Sequence, residues 1–364
     1  MFRIRYLQIF CFIFILALFS SLYSQPQNSN LTLLCLAAHP DDEDNAALAY
    51  FVKIKRVKAY TIYFTRGEGG QNEIGPELYD ELAKIRERET QEAGQIQGST
   101  PLFLGFLDFG YSKTAKETFK KWGKDSILSR LVYLIRQIRP DVIISNHDTI
   151  TTKPNRQHGH HQAVGITVYE AFEKASDPNY LPEQFHDGIA PWQVKKLFFR
   201  VYDSTKTDGV VKIDIHQKDP ASGKTIEDIS FEAIAKHRTQ GMDKIVRENL
   251  RSITVERIYE LIRSYRIYPF DASDLFSGIE PDTFAKPVIT PQSYGTAYTY
   301  EKLNPEDSLR ILNSIKFETR REIGLVRTYD NTIENILKAF NIKFYTLGSY
   351  YLEHGDLYNF GTII

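Results

Sequence analysis

The chain has 364 residues, with 45 Lys and Arg against 46 Asp and Glu and a formal net charge of -1. That balance gives no electrostatic reason to expect nucleic acid or an anionic membrane as the main partner, and the length suffices for one elaborated α/β domain or two smaller ones. Of the two cysteines, Cys11 lies in an N-terminal apolar run and Cys35 in a candidate strand, so Cys35 is expected to be a small core residue and no disulfide is predicted.

Residues 1–24 have a basic start at Arg3 and Arg5, an apolar run from Tyr6 to Leu22, and small residues at Ser20, Ser21 and Ser24. This is the pattern of a secretory signal, predicting an exported protein whose mature chain begins at Gln25, periplasmic or extracellular if bacterial. An uncleaved membrane anchor is the alternative, because the run is slightly long. From Leu31 to Ala38 the chain is almost continuously apolar, as expected of a strand covered on both faces. A helix over 43–55 and a β-branched and aromatic strand over 57–64 follow, making a βαβ unit. After a glycine-rich loop at 66–72 come a charged helix at 76–97, a short strand at 101–104, a helix at 125–138 that stops at Arg139-Pro140, and a strand at 141–145. A helix runs from His158 to about Lys174, strands are expected near 195–202 and 210–215, and His237-Arg238-Thr239-Gln240-Gly241-Met242 is read as part of a helix. Beyond about 280 the chain is rich in Tyr and Phe, with an amphipathic helical stretch near 306–340. The alternation predicts an α/β fold: a Rossmann-like open, mostly parallel sheet flanked by helices, over 25–280, followed by a C-terminal extension at 281–364 packed on it.

Two motifs follow strands one and four of this pattern, where ligands collect at the carboxyl edge of an open parallel sheet. The first is His39-Pro40-Asp41-Asp42-Glu43 and the second His158-Gly159-His160-His161. His39, Asp42 and His161 together make a two-imidazole, one-carboxylate ligand set for a divalent metal, with Asp41 placed to take a proton from water and His158 to support an oxyanion or protonate a leaving amine. Capping of the following helix is the plainer role for Asp41 or Asp42, and a supporting or exposed position the plainer one for His160. The loop Arg66-Gly67-Glu68-Gly69-Gly70-Gln71-Asn72 lacks the spacing of a phosphate-binding loop; it is read as backbone held close to the pocket, with Arg66 and Glu68 supporting it. Arg86 and Glu89, one helical turn apart, read as a structural ion pair.

These residues resemble the PIG-L/LmbE-like family of zinc-dependent N-acetylglucosaminyl deacetylases. The resemblance is carried by Ala38-His39-Pro40-Asp41-Asp42-Glu43, Thr65 to Asn72, Arg86-Glu87-Arg88-Glu89 with Ala93, Phe103 to Asp108, Arg139 to Ile144, and His158 to His161, over about 31–175. Weaker likeness through His237-Arg238-Thr239-Gln240-Gly241 and Asp274 to Ile279 extends it to about 280. It implies zinc on His39, Asp42 and His161, Asp41 as general base, His158 at the oxyanion, and Asp108 near the substrate. One departure stands out: where smaller members have an aspartate before the last zinc-binding histidine, this chain has His160, which bears on how His158 is oriented.

The expectation is therefore an exported hydrolase that uses Zn2+, or another divalent metal such as Fe2+, to remove an N-acetyl group from an amino sugar or glycan conjugate. Arg66, Asp108 and His160 are the candidate substrate contacts, and no organic cofactor is needed. Two rivals share features of the pattern: a zinc-containing carbohydrate-binding protein without turnover, and a non-haem iron enzyme with the same ligand types.

Overall fold

The continuous apolar run forms β1 (Thr32–Ala37), and its alternate side chains enter two separate cores. Leu34 and Leu36 pack on one face of the sheet, Leu33 and Cys35 on the other, and Cys35 is a buried free thiol. This two-sided burial is the reason the run lacks polar alternation. The computed structural model describes residues 30–70, 72–148, 157–185, 189–203, 205–248, 257–284 and 286–289, and the backbone of strands at 318–320, 323–326, 344–351 and 357–363. Residues 1–24, where a secretory signal is expected, lie outside the described residues. Among those described, no helix is long and apolar enough to cross a membrane.

From β1 the chain runs through α1 (Asn45–Lys53), β2 (Lys58–Tyr63), α2 (Tyr79–Gln97), β3 (Ser99–Phe103), α3 (Ala115–Trp122), α4 (Lys124–Ile138), β4 (Val142–Ser145), α5 (Gly159–Lys174) and β5 (Lys196–Val201). It continues through β6 (Val210–Ile213), α6 (Ile226–Ile234), α7 (Met242–Glu248) and β7 (Arg257–Ser264). The sheet order is β3-β2-β1-β4-β5-β7-β6; the first five strands are parallel, and β7 pairs antiparallel with both β5 and β6. The α/β architecture expected from the alternation is thus present. Strand order reverses between β1 and β4, so the loops leaving these neighbours diverge and open a crevice at their carboxyl ends.

Helix α4 ends where Arg139 turns left-handed at φ 57 and bonds back to Ile135 O at 2.9 Å, immediately before Pro140. Two expected elements differ. The His237 segment is not helical: α6 stops at Ile234, residues 238–240 make a single 3-10 turn, and Gly241 at φ 74 reverses the chain into α7. Near 306–340, where a helix is expected, β8 (Glu318–Arg320) and β9 (Ile323–Val326) are strands. With β10 (Phe344–Tyr351) and β11 (Leu357–Ile363) they form an antiparallel sheet of order β10-β11-β9-β8. The β-branched residues Thr319, Ile323 and Val326 there outweigh the helical spacing; the remainder of that stretch lies outside the described residues.

Candidate metal centre

The turn after β1 is shaped by its acids. Asp41 is left-handed at φ 93, a conformation that costs a residue with a Cβ about 1–3 kcal/mol unless its surroundings impose it. Three contacts do so. The Asp41 N–H donates to Glu43 Oε2 at 3.0 Å, the Asp42 N–H to His39 O at 3.2 Å, and Gln240 Nε2 to Pro40 O at 2.5 Å. Capping of α1 falls to neither Asp41 nor Asp42 but to Asp44, whose carboxylate accepts from Ala47 N at 3.1 Å.

Asp42 is the hub of the site. Its Oδ2 lies 2.9 Å from His39 Nδ1, 3.2 Å from His161 Nε2 and 3.7 Å from His147 Nε2, and its backbone carbonyl accepts from Asn146 Nδ2 at 2.8 Å. Burial alone would raise its pKa, but His161 and His147 hold the carboxyl well below its ordinary value. The predicted ligands His39, Asp42 and His161 therefore converge on one oxygen. Sequence reading missed His147, which follows β4 at the switch point and also accepts the Ala38 N–H on Nε2 at 3.2 Å. Its position just past a strand was the available signal.

His39 uses both ring nitrogens: Nδ1 meets Asp42, while Nε2 meets His160 Nδ1 at 2.9 Å. Burial opposes its protonation, yet the hydrogen bond to Asp42 and the charge of Asp108 raise it to about 9. His160 is fully buried, stacks on Trp122 at 4.5 Å between ring centroids, and is driven well below its ordinary value by burial and by His39. The neutral His160 accepts the His39 Nε2–H, leaving His39 Nδ1 aimed at Asp42. His160 thus supports His39 from behind, and its ring does not orient His158. That orientation comes from its backbone instead. His158 caps α5 with Nδ1 accepting the His160 N–H at 3.3 Å, which leaves Nε2 to carry the proton. Gly159 permits this approach; a Cβ there would stand 2.0 Å from Ser112 Oγ and 2.3 Å from Thr114 O.

The other candidates sit further out. Asp108 accepts from Gly110 N at 2.8 Å, and the same oxygen is 3.9 Å from His160 Nδ1. Arg66 turns to α2, its guanidinium 3.4 Å from both Glu87 and Asp80. Gly69 lies so close to the Asp108 loop that a Cβ would reach 2.2 Å from Asp108 O, so the glycines serve close packing. Arg86 and Glu89 meet through Thr239, whose hydroxyl donates to Glu89 at 2.7 Å and accepts from Arg86 Nε at 3.2 Å.

A buried pair lies behind Asp41. His237 Nε2 is 2.9 Å from Glu43 Oε1, and both side chains are wholly buried. In front, a cavity of about 340 Å³ opens onto Asp41, Asp42 and His161, with Asn146, Gln157, Arg200 and Arg257 among its walls. Asn146 Oδ1 and both side-chain polar atoms of Gln157 are buried without a protein partner among the described residues. The cavity therefore offers hydrogen bonds to a polar ligand.

The donor set fits a divalent cation. Imidazole nitrogens ring an ionised carboxylate, and His39, His158 and His161 form a second convergent group close by. A cation between Asp42 and its imidazoles would replace the proton that His39 now shares with the carboxylate.

Residues 34–172 match the family model described as PIG-L, GlcNAc-PI de-N-acetylase. The chain is 27% identical over 194 residues to the mycothiol S-conjugate amidase of Streptomyces coelicolor, covering 50% of this chain and 64% of that protein. It is 28% identical over 184 residues to the 1D-myo-inositol 2-acetamido-2-deoxy-alpha-D-glucopyranoside deacetylase 2 of Saccharopolyspora erythraea, covering 44% of this chain and 62% of that one. The matches thus span less than two thirds of either relative's length. Among solved structures it is similar to the N,N'-diacetylchitobiose deacetylase from Pyrococcus horikoshii, at 17% identity and a TM-score of 0.48, over 65% of this chain and 85% of that one.

Proposed function

We propose, from the premise that this chain belongs to the PIG-L family through residues 34–172, that it is a divalent-metal-dependent hydrolase removing an N-acetyl group from an amino sugar or its conjugate. The observation that carries this reading is the pairing of Asp41 and Asp42 in one turn: Asp42 is surrounded by imidazoles, while Asp41 also opens on the polar cavity. Ligand and base are thereby separated within two adjacent residues.

His39, Asp42 and His161 would hold the cation, with His147 beside them; imidazole and carboxylate donors suit Zn2+ and also accept Fe2+. When bound, the cation supplies Lewis acidity that polarises the amide carbonyl and lets water lose a proton near neutrality. Asp41 takes that proton. Its left-handed backbone is fixed by Glu43 and Gln240, and the residue lines the cavity. His158, with Nδ1 occupied by the His160 N–H, presents Nε2–H as a neutral donor to the developing oxyanion. The proton held on Asp41 then passes to the departing amine, releasing acetate and the free amino group. Asn146 Oδ1 and the Gln157 side-chain amide, without partners among the described residues, suit the hydroxyls of a sugar. We assign export to the 1–24 segment on its sequence pattern.

The test is acetate release from a panel of N-acetylated sugars by the purified protein, with bound metal quantified. Asp41→Asn is expected to abolish turnover and retain metal, and His161→Ala to lose both. Full turnover by Asp41→Asn removes Asp41 from the mechanism, and an active metal-free protein removes the ligand assignment.

A further inference from the structure

We propose that Gln240 is a positioning residue for the base Asp41. By holding the Pro40 carbonyl it keeps the turn from His39 to Asp42 in the type II form, which sets where the Asp41 carboxylate stands; this rests on the hydrolase reading above.

The turn is closed by the Asp42 N–H donating to His39 O at 3.2 Å, with Pro40 and Asp41 as its central residues. Proline first and a positive φ second, here 93, is the signature of type II. That second place suits glycine or asparagine, yet the chain puts its base there. Type I differs by a flip of the peptide between the central residues. It accepts the same proline, keeps the closing bond, and would set Asp41 at about −90°, where a residue with a Cβ is unstrained. Local preference therefore points to type I. What opposes the flip is a grip on both ends of that one peptide. Its N–H, on Asp41, donates to Glu43 Oε2 at 3.0 Å, and its C=O, on Pro40, accepts from Gln240 Nε2 at 2.5 Å. A flip would break both bonds and turn the carbonyl toward the Glu43 carboxylate.

Gln240 lies 200 residues from Pro40 and arrives already braced. The adjacent Thr239 donates its N–H and its hydroxyl to Glu89 at 3.0 and 2.7 Å, and its carbonyl accepts the Glu73 N–H at 2.8 Å. Glu43 is braced from the same 3-10 turn, by His237 at 2.9 Å. One distant segment thus supplies the first grip directly and supports the second. A strained backbone held from both sides at the residue that takes the proton is a position imposed against local preference.

Three variants of the zinc-loaded full chain decide the matter. Gln240→Leu removes the donor. Gln240→Glu removes it with the side-chain shape kept, should leucine impair folding, and Gln240→His restores an N–H the same number of bonds from Cβ. The backbone carbon and nitrogen chemical shifts of Asp41 report its φ. They are expected to move to the negative-φ range in Gln240→Leu and Gln240→Glu and to return in Gln240→His. In acetate release from N-acetylated sugars, kcat should fall about 10–100-fold in the first two variants and recover in the third, with KM and bound zinc within about twofold of wild type. A misplaced base loses proton transfer without losing substrate. A positive φ at Asp41 in the variants without a donor overturns the inference, as does an unchanged kcat; so does a rise in KM with loss of zinc, which is the signature of general damage. If the wild type releases no acetate, the hydrolase reading is what fails, and the Asp41 shifts still decide whether Gln240 holds the turn.

Discussion

Replacing His237 with leucine tests how the catalytic turn is held. Glu43 and His237 meet at 2.9 Å with both side chains wholly buried, and the two residues lie 194 positions apart in the chain. Glu43 also accepts from Asn45 Nδ2 at 3.0 Å on one oxygen and from the strained Asp41 N–H at 3.0 Å on the other. Leucine removes the cationic partner that faces this carboxylate, and breaking a buried ion pair from one side costs about 3–5 kcal/mol because the remaining charge is left without compensation. Adding Glu43→Gln removes that charge and keeps an acceptor for Asp41, so the double variant should recover about half of the loss or more. Urea unfolding of the four proteins at about pH 5.5 measures the cycle. The pH follows from linkage. Glu43 is lowered from its ordinary 4.5, so its share is present above 4.5 and is lost as pH falls through its folded value. His237 is raised from 6.5, so its share is present below 6.5 and is lost as pH rises through its folded value. The pair therefore contributes most between 4.5 and 6.5. A loss below about 1 kcal/mol in His237→Leu, or no recovery in the double variant, would refute the claim that Glu43 is ionised against His237.

Burial and the adjacent Asp42 charge push Asp41 up to about 7 in the metal-free protein. A base must be ionised to act, so activity is lost as pH falls, and a bound dication shifts the limb downward; the acid limb of kcat/KM should lie below about pH 7, and a limb above that value contradicts the assignment. His160→Leu removes the acceptor behind His39 Nε2. Metal affinity, read by competition with a chelator, should fall about 10–100-fold, with partial return in His160→Asn; unchanged affinity would mean that His39 is oriented without it.

The parts of this protein legible in its sequence are those whose cause is local. The Leu31 to Ala38 run and the βαβ alternation imply a strand buried on both faces in a parallel sheet, because continuous apolarity and element order suffice to require it. His39, Asp41, Asp42 and the His158 to His161 cluster stand out because their donor types sit together just past strands. The helix expected around His237 fails because a glycine with positive φ and a buried acid 194 residues away decide that backbone, where spacing alone suggests continuity. Arg200 and Arg257 carry no local mark, and the places of His147 and Glu43 just past β4 and β1 do not reveal what each one meets. Their roles come from contacts 109 to 213 residues apart or from strands joined only in the sheet, as when β7 inserts beside β5 and sets two arginines around Asp44. Periodicity reports which face of an element is buried; which charge ends opposite which is set by the order of strands, and that emerges only when the sheet is assembled.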